Sequence, residues 1–325
     1  MPIIDNFDVV SKQTTDQVIM VRPATFKMNE QTAVNNHYQK STKDYSQKEI
    51  KEKSLLEFDG LVENLRSNGI GVTVIQDTVE HLTPDSLFPN NWLSLHSNGR
   101  AVLYPMFAEN RRLERNLEVL DQLTAFGFEN REVHDLSAWE DSNLFLEGTG
   151  SLVLDRVNKI AYAALSDRTA PELVEHFCKN FNYKAITFSA LQPVKAKRLP
   201  IYHTNVMMCI GSSIAVVCLD CVDDFAERHK LKKSLLDTGK QLIEITESQV
   251  NAFAGNMLEL RNNTGKAFMV LSTQAFDCLK KDQIKTIKKY AEIIHSPLYL
   301  IESLGGGSAR CMIAENFLPI INAKG

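Results

Sequence analysis

Leu146-Glu147-Gly-Thr-Gly150, Ile160-Ala-Tyr-Ala163, Ala185-Ile-Thr-Phe188 and His203-Thr-Asn205 follow one another in a single stretch of the chain, and their order decides the fold. Glu147, a polar residue, opens an apolar run, and a second strand-like run comes after it. A helical stretch then carries Cys178 between Phe177 and Phe181, a short strand follows, and beyond a loop His203 opens the next apolar run. Short β-branched and aliphatic runs alternating with helical stretches argue for an α/β or α+β domain. Outward from this stretch the order repeats. The polar residues that open such runs are Asn91, Glu147, His203, Asn256 and Cys311, spaced 56, 56, 53 and 55 residues apart.

Each of these residues follows a helix-strand unit whose strand reads Val72-Thr-Val-Ile75, Arg131-Glu-Val-His134, Ala185-Ile-Thr-Phe188, Leu242-Ile-Glu-Ile245 or Leu298-Tyr-Leu-Ile301. Glu109 to Phe126 places Leu113, Leu117, Leu120 and Leu123 at helical spacing, with Arg and Glu on the other face. Gln274 to Ile294 sets Ile284, Ile287, Ala291 and Ile294 opposite a row of lysines, which are expected to be solvated. Four of the apolar runs lead to a second run, at Ala101–Tyr104, Ile160–Ala163, Ile214–Val217 and Ala267–Leu271. The run at Cys311 has none after it, and Val18-Ile-Met-Val21 with the helical stretch Lys43 to Arg66 is available to complete that unit. A repeat of about 55 residues closing on itself leaves only short protected edges. The expectation is one closed domain over residues 1–325, in place of the two domains that length alone suggests. Equivalent positions of a rotational repeat face one axial space, so Asn91, Glu147, His203 and Cys311 are expected to converge.

Composition narrows the function. With 44% hydrophobic and 23% charged residues the chain reads as an ordinary globular protein. A net charge of -4 and a pI near 6.1, with Lys and Arg scattered, exclude the basic footprint of a nucleic-acid binder. No apolar run approaches the roughly 20 residues of a membrane span. Met1-Pro-Ile-Ile-Asp5-Asn-Phe-Asp8 lacks a basic start followed by an apolar stretch, so a cytoplasmic protein is expected.

Six cysteines are too few for a disulfide scaffold. Cys218 and Cys221 end the run Ile214–Leu219 with no second pair at a metal spacing, and they read as thiols in or beside a buried strand. Cys209 and Cys278 also sit among apolar neighbours. Cys311 differs, because it follows Gly305-Gly-Gly307-Ser-Ala-Arg310, whose glycines let backbone approach a ligand. Arg310 would favour the reactive thiolate if its side chain turns toward the sulfur. No Lys-Ser or Lys-Thr follows these glycines, so a phosphate loop is a poor reading. A thiol, an imidazole and a carboxylate at matched repeat positions are the parts of nucleophilic catalysis, with Cys311 as nucleophile, His203 as proton carrier and Glu147 as orienter.

The ordered segments Gln17-Val-Ile-Met-Val-Arg22-Pro23, Phe88-Pro-Asn-Asn91, Leu146-Glu147-Gly-Thr-Gly150, His203-Thr-Asn205 and Gly306-Gly-Ser-Ala-Arg-Cys311-Met resemble the motifs of the guanidino-group-modifying, or pentein, superfamily. Arginine deiminases, dimethylarginine hydrolases and amidinotransferases belong to it, and within it the chain is most similar to the arginine-deiminase-related branch that includes citrulline hydrolases. The resemblance runs from about residue 17 to the carboxyl terminus. It implies a five-bladed α/β propeller with a Cys-His-Glu site in its central channel and neither metal nor organic cofactor. Cys311 matches the family nucleophile, His203 the general acid and base, and Glu147 the carboxylate of the Glu-Gly motif.

Three positions depart from the arginine deiminases. Asn91 and Asn205 stand where they carry Asp, and Gly150 ends a motif that there reads Glu-Gly-Gly-Asp. A guanidinium has only donors and is best held by carboxylates, whereas an amide suits a neutral ureido group. Burying a neutral substrate against two carboxylates would leave charge unpaired. The expected activity is therefore hydrolysis of citrulline to ornithine, carbon dioxide and ammonia through an S-carbamoyl-cysteine, with Asn91 and Asn205 holding the ureido group. An arginine dihydrolase is the nearest alternative, ahead of a simple deiminase, an amidinotransferase and a non-catalytic ligand binder. Arg310 or Arg22 is available for the substrate carboxylate; Asn256 and Asn90 line the channel or cap turns. The expected partner is a small molecule such as citrulline or an arginine-like compound, with no nucleic acid and no membrane, and a homo-oligomer is compatible with the sequence.

Overall fold

The computed structural model describes residues 12–321; the Met1–Asp8 start lies outside them. Five three-stranded sheets carry the repeat. In the sheet built from the stretch quoted first, Val153–Asp155 runs antiparallel to Ile160–Ala164, which pairs in parallel with Lys184–Phe188. Parallel neighbours need a crossover, and the helix Pro171–Phe181 supplies it while burying Leu173, Val174, Phe177 and Phe181. Leu93–Leu95, Arg100–Leu103 and Glu132–Asp135 repeat the plan one unit earlier. Met208–Ile210, Ile214–Val217 and Gln241–Glu244 repeat it one unit later, and Leu258–Arg261, Ala267–Ser272 and Glu292–Ser296 one unit after that.

The remaining sheet joins distant parts of the chain. Ala314–Glu315 pairs antiparallel with Gln17–Arg22, Val18 opposite Glu315, and Gln17–Arg22 runs parallel to Gly71–Gln76. The unit opened by Cys311 is thus completed by Val18–Val21, as the repeat requires. Its crossover helix, Gln47–Ser67, starts at a capping box in which Ser46 and Glu49 satisfy each other's backbone N–H groups. That helix buries Phe58, Leu61 and Leu65.

Alternate residues of each strand point to opposite faces, so each sheet serves two cores. Ile19 and Val21 pack with Trp92, Leu93 and Leu103, whereas Val18 and Met20 pack with Leu260, Phe268 and Val270. Val102 and Tyr104 share a core with Leu152, Leu154 and Ala161, and Tyr162 and Phe188 share one with Val216 and Met269. Cys209, Cys218 and Cys221 are buried, and Cys278 is half-buried. Among the described residues no helix is long and apolar enough to cross a membrane.

Two stretches depart from the periodicity. Glu109–Phe126 breaks into a single turn, Glu109–Arg112, and a short helix, Glu118–Ala125. Leu113 and Leu117 are 51% and 55% exposed, while Arg111 is 2% exposed. Burial of this guanidinium in an acidic cluster overrides the leucine stripe. The second departure is Leu298–Ile301, which lies at the start of the helix Tyr299–Gly305 and not in a strand. The strand of that unit is Glu292–Ser296, and the long helix expected before it is two short ones, Thr273–Cys278 and Lys281–Ile287. A four-residue apolar run has no periodicity that separates strand from helix.

Candidate active site

The repeat residues sit at equivalent turns, each before the first strand of its sheet. Asn91 ends the 3-10 turn Pro89–Asn91, Glu147 precedes the turn Gly148–Ser151, and His203 precedes Thr204–Met207. The turn after Glu147 requires its glycines. Gly148 has φ +49°, and a Cβ there would lie 2.3 Å from the Asn90 carbonyl oxygen. A Cβ on Gly150 would lie 2.5 Å from Asn91 Nδ2 and 2.7 Å from His203 Nδ1. The residue that departs from the Glu-Gly-Gly-Asp motif is therefore the one that lets the asparagine and the histidine approach.

Glu147 is fully buried. Its Oε2 accepts from His203 Nε2 at 2.7 Å and lies 3.5 Å from Arg168 Nη1 and 3.7 Å from Arg111 Nη1, while Oε1 accepts from the Phe107 N–H at 3.0 Å. Burial opposes its charge, but Arg168, His203 and Arg111 together hold the carboxyl well below the usual range. Burial pushes the His203 imidazole down to about 4 against the pull of Glu147. In its uncharged form the ring donates Nε2–H to Glu147 and leaves Nδ1 as the acceptor. Among the described residues that buried Nδ1 has no hydrogen-bond partner.

Cys311, His203 and Asn91 line one small cavity of about 10 Å³ with Asp85, Phe88, Arg111, Arg168, Tyr202 and the glycine loop. That is room for about one water. Three asparagines hold its lining: Asn29 Nδ2 donates to Asp85 at 2.8 Å, Asn36 Nδ2 to the Gly305 carbonyl at 3.3 Å, and Arg168 Nε to Asn35 Oδ1 at 2.9 Å. A wider cleft of about 440 Å³, lined by Lys12, Arg261 and Phe317 among others, lies apart and holds none of these groups.

Charge is concentrated on one side. Arg111 donates to Glu114 at 2.9 Å and to Asn91 Oδ1 at 2.9 Å, and lies 3.8 Å from Asp85. Burial pushes the Glu114 carboxyl up to about 8 despite Arg111, and raises that of Asp85. Among the described residues the buried Asp85 Oδ1 has no partner. On the other side the thiol meets amides: Asn256 Nδ2 lies 3.2 Å and Asn205 Nδ2 3.6 Å from Cys311 Sγ. Burial raises the Cys311 pKa, offset in part by the Ser308 backbone, Asn256, Arg310 and Asn205.

The structure brings Cys311, His203, Glu147 and Asn91 together. It sets Asn205 against the sulfur and along a second small cavity. Arg310 is not in the pocket either; its guanidinium donates to Glu315 at 2.9 Å and to the Ile313 carbonyl at 2.8 Å. Arg22 is paired with Asp59 at the surface. Arg111, Arg168 and Asp85 escaped the sequence reading, because buried and solvated charges look alike in a sequence; Asp85 lies close to the Phe88-Pro-Asn-Asn91 segment, the one available pointer. Among the described residues no group of three His, Cys, Asp or Glu side chains is placed to hold a metal ion.

A family model described as N,N dimethylarginine dimethylhydrolase, eukaryotic, matches residues 22–318. The chain belongs to that family. It is thereby a member of the pentein superfamily, and its family is one of hydrolases acting on guanidino groups. Its fold is similar to that of apo ArgZ, described as an arginine dihydrolase from the ornithine-ammonia cycle in cyanobacteria (TM-score 0.70, 15% identity, 94% of this chain and 41% of that one). Unliganded AgrE gives a TM-score of 0.69 at 16% identity, over 94% of this chain and 40% of that one. The chain thus spans about two fifths of each. A dimethylarginine dimethylaminohydrolase variant, as its adduct with S-methyl-L-thiocitrulline, gives 0.60 at 15% identity over 93% and 99% of the two chains. At these identities the likeness is one of fold. No curated protein matches the sequence.

Proposed function

We propose that this dimethylarginine-dimethylhydrolase family member is a thiol-dependent hydrolase that carries a free arginine-type amino acid through to ornithine. The observation that carries the proposal is the small cavity lined by the Cys311 thiol, the His203 ring with its free Nδ1, and two buried guanidiniums. Arg111 and Arg168 are the cations available to an α-carboxylate, and the unpartnered Asp85 Oδ1 is the acceptor available to a cationic group of the substrate. Cys311 gives its proton to His203 Nδ1 and attacks the guanidino or ureido carbon. The imidazolium so formed is stabilised by Glu147 and returns the proton to the departing nitrogen. Water, deprotonated by the same Nδ1, then releases the carbon from sulfur.

Within this chemistry the solved neighbours ArgZ and AgrE support an arginine dihydrolase better than a citrulline-only hydrolase. In that sequence arginine loses ammonia to give citrulline. A second attack on citrulline expels ornithine and leaves an S-carbamoyl-cysteine, whose hydrolysis yields carbamate and hence ammonia and carbon dioxide. The case for citrulline over arginine rests on Asn91, which lines the cavity, and on Asn205, which faces the sulfur. Hydrolysis of citrulline alone is the second reading, favoured by Asn91, an amide at the cavity where a carboxylate would hold a guanidinium. The five sheets, with packed cores linking each to its neighbours and the first to the last, support a single five-bladed propeller domain as the frame. Ammonia and ornithine yields decide between the readings. Both expect ornithine from citrulline. About two ammonia per arginine consumed supports the dihydrolase, no arginine turnover supports the citrulline hydrolase, and accumulation of citrulline from arginine overturns both.

A further inference from the structure

Behind the thiol, outside the lining of the small cavity, Asn256 is fully buried and both ends of its amide are engaged. Its Nδ2 donates to the Asn205 carbonyl at 3.0 Å and points its other hydrogen at Cys311 Sγ, 3.2 Å away. Its Oδ1 accepts from the N–H of Arg310, the residue before the nucleophile, at 3.0 Å. This arrangement fixes which way the amide faces. Turned over, Asn256 would set oxygen against the Asn205 carbonyl and NH₂ against the Arg310 N–H, two repulsive contacts in a buried place where each unmade hydrogen bond is costly. A donor is therefore held on the sulfur in every turnover. A thiol sulfur is a weak acceptor and a thiolate a strong one, so a locked N–H at this distance favours the anion.

We infer that Asn256 is a positioning residue for the reaction: its Nδ2 supports the Cys311 thiolate from behind, and its Oδ1 fixes the backbone that presents it. It lines no part of the substrate cavity. Its effect should therefore fall on kcat and leave KM near its starting value. The inference rests on the reading of Cys311 as nucleophile.

The test is the pH dependence of Cys311 alkylation by iodoacetamide, followed on the Cys311 peptide by mass spectrometry, in the parent protein, Asn256→Ala and Asn256→Asp. The aspartate keeps an acceptor for the Arg310 N–H but sets a carboxylate beside the sulfur, whereas the alanine removes the donor and adds no charge, so a rise shared by both variants supports the assignment and a rise in the aspartate alone overturns it. In both variants the alkylation midpoint should rise by about one pH unit or more, tenfold less thiolate at a given pH, and kcat should fall with KM changed less than about threefold. An unmoved alkylation profile in a folded Asn256→Asp protein overturns the assignment, whatever happens to kcat. If instead Cys311→Ala retains turnover, the nucleophile reading itself fails, an outcome that the alkylation profile does not share.

Discussion

The two sides of Cys311 are built from opposite materials. Toward the cavity, Arg111, Arg168, Asp85, Glu114 and Glu147 form a buried ionic network around the imidazole. Toward the back, two neutral amides, Asn205 and Asn256, face the sulfur. Buried charges packed this closely hold one another in fixed geometry, and the unused acceptor at Asp85 Oδ1 would suit a wall that orients a zwitterion. Amides solve another problem, since they favour an anion without carrying a charge of their own that would compete for the substrate. Under the proposed chemistry one wall would select and align the substrate, and the other would set the state of the Cys311 thiol.

That division is broken most severely at its centre. Cys311→Ala should reduce ammonia release by roughly 10⁴-fold or more in a folded protein, because what survives loss of a nucleophile is binding alone. Glu147→Gln should cost about 10²- to 10⁴-fold in kcat, since the imidazole loses the carboxylate that orients it and stabilises its protonated form. The parent pH profile sharpens the same point. With His203 pushed down to about 4 and Cys311 raised, kcat/KM should climb from pH 6 past pH 8 as thiolate accumulates, with no bend from His203 in that range. A bend near pH 6.5 would mean that the charged wall holds a protonated ring.

Arg168→Ala should act on the other axis, raising KM about 10- to 100-fold with a smaller fall in kcat, as expected for one lost charge-assisted hydrogen bond to a substrate carboxylate. Equal losses in both constants would move Arg168 from substrate binding to support of Glu147. The smallest effect belongs to Glu302, under the amide wall, which accepts from Ser308 Oγ at 2.6 Å and whose carboxyl burial pushes up to about 7. A carboxyl raised on folding contributes stability that is present at low pH and is lost as pH rises from its unfolded value near 4.5 to about 7. Glu302→Gln should flatten that slope, so its unfolding temperature should gain on the parent by a few degrees between pH 5 and pH 8. Parallel curves would show that Glu302 does not titrate on folding.

Much of this was legible in the repeat. Spacing places Glu147, His203, Asn256 and Cys311 at equivalent turns, and the strand Val18–Val21 falls to the unit that lacks one, because a repeat constrains positions far apart in the chain. What escaped lies between the repeats. Arg111 sits in a stretch whose leucines predict one helix with a solvated basic face, yet the arginine is inside and Leu113 and Leu117 are outside. Helical periodicity counts apolar residues and is blind to a buried ion held by Glu114, Asp85 and Glu147. Asn205 shows the complementary gap: its substitution for Asp was visible, but the direction of its side chain, toward sulfur, depends on packing. Leu298–Ile301 was misread because four apolar residues in a row fit either state.

The pairing of Gln17–Arg22 with Ala314–Glu315 ties the geometry of the nucleophile to the history of the chain. Sheets whose strands are neighbours in sequence can pair early, but this one waits for contacts separated by nearly the whole polypeptide, and such long loops slow closure. Cys311 stands just before that last strand. Reactivity of its thiol should therefore be among the last properties recovered on refolding, later than the bulk of the secondary structure.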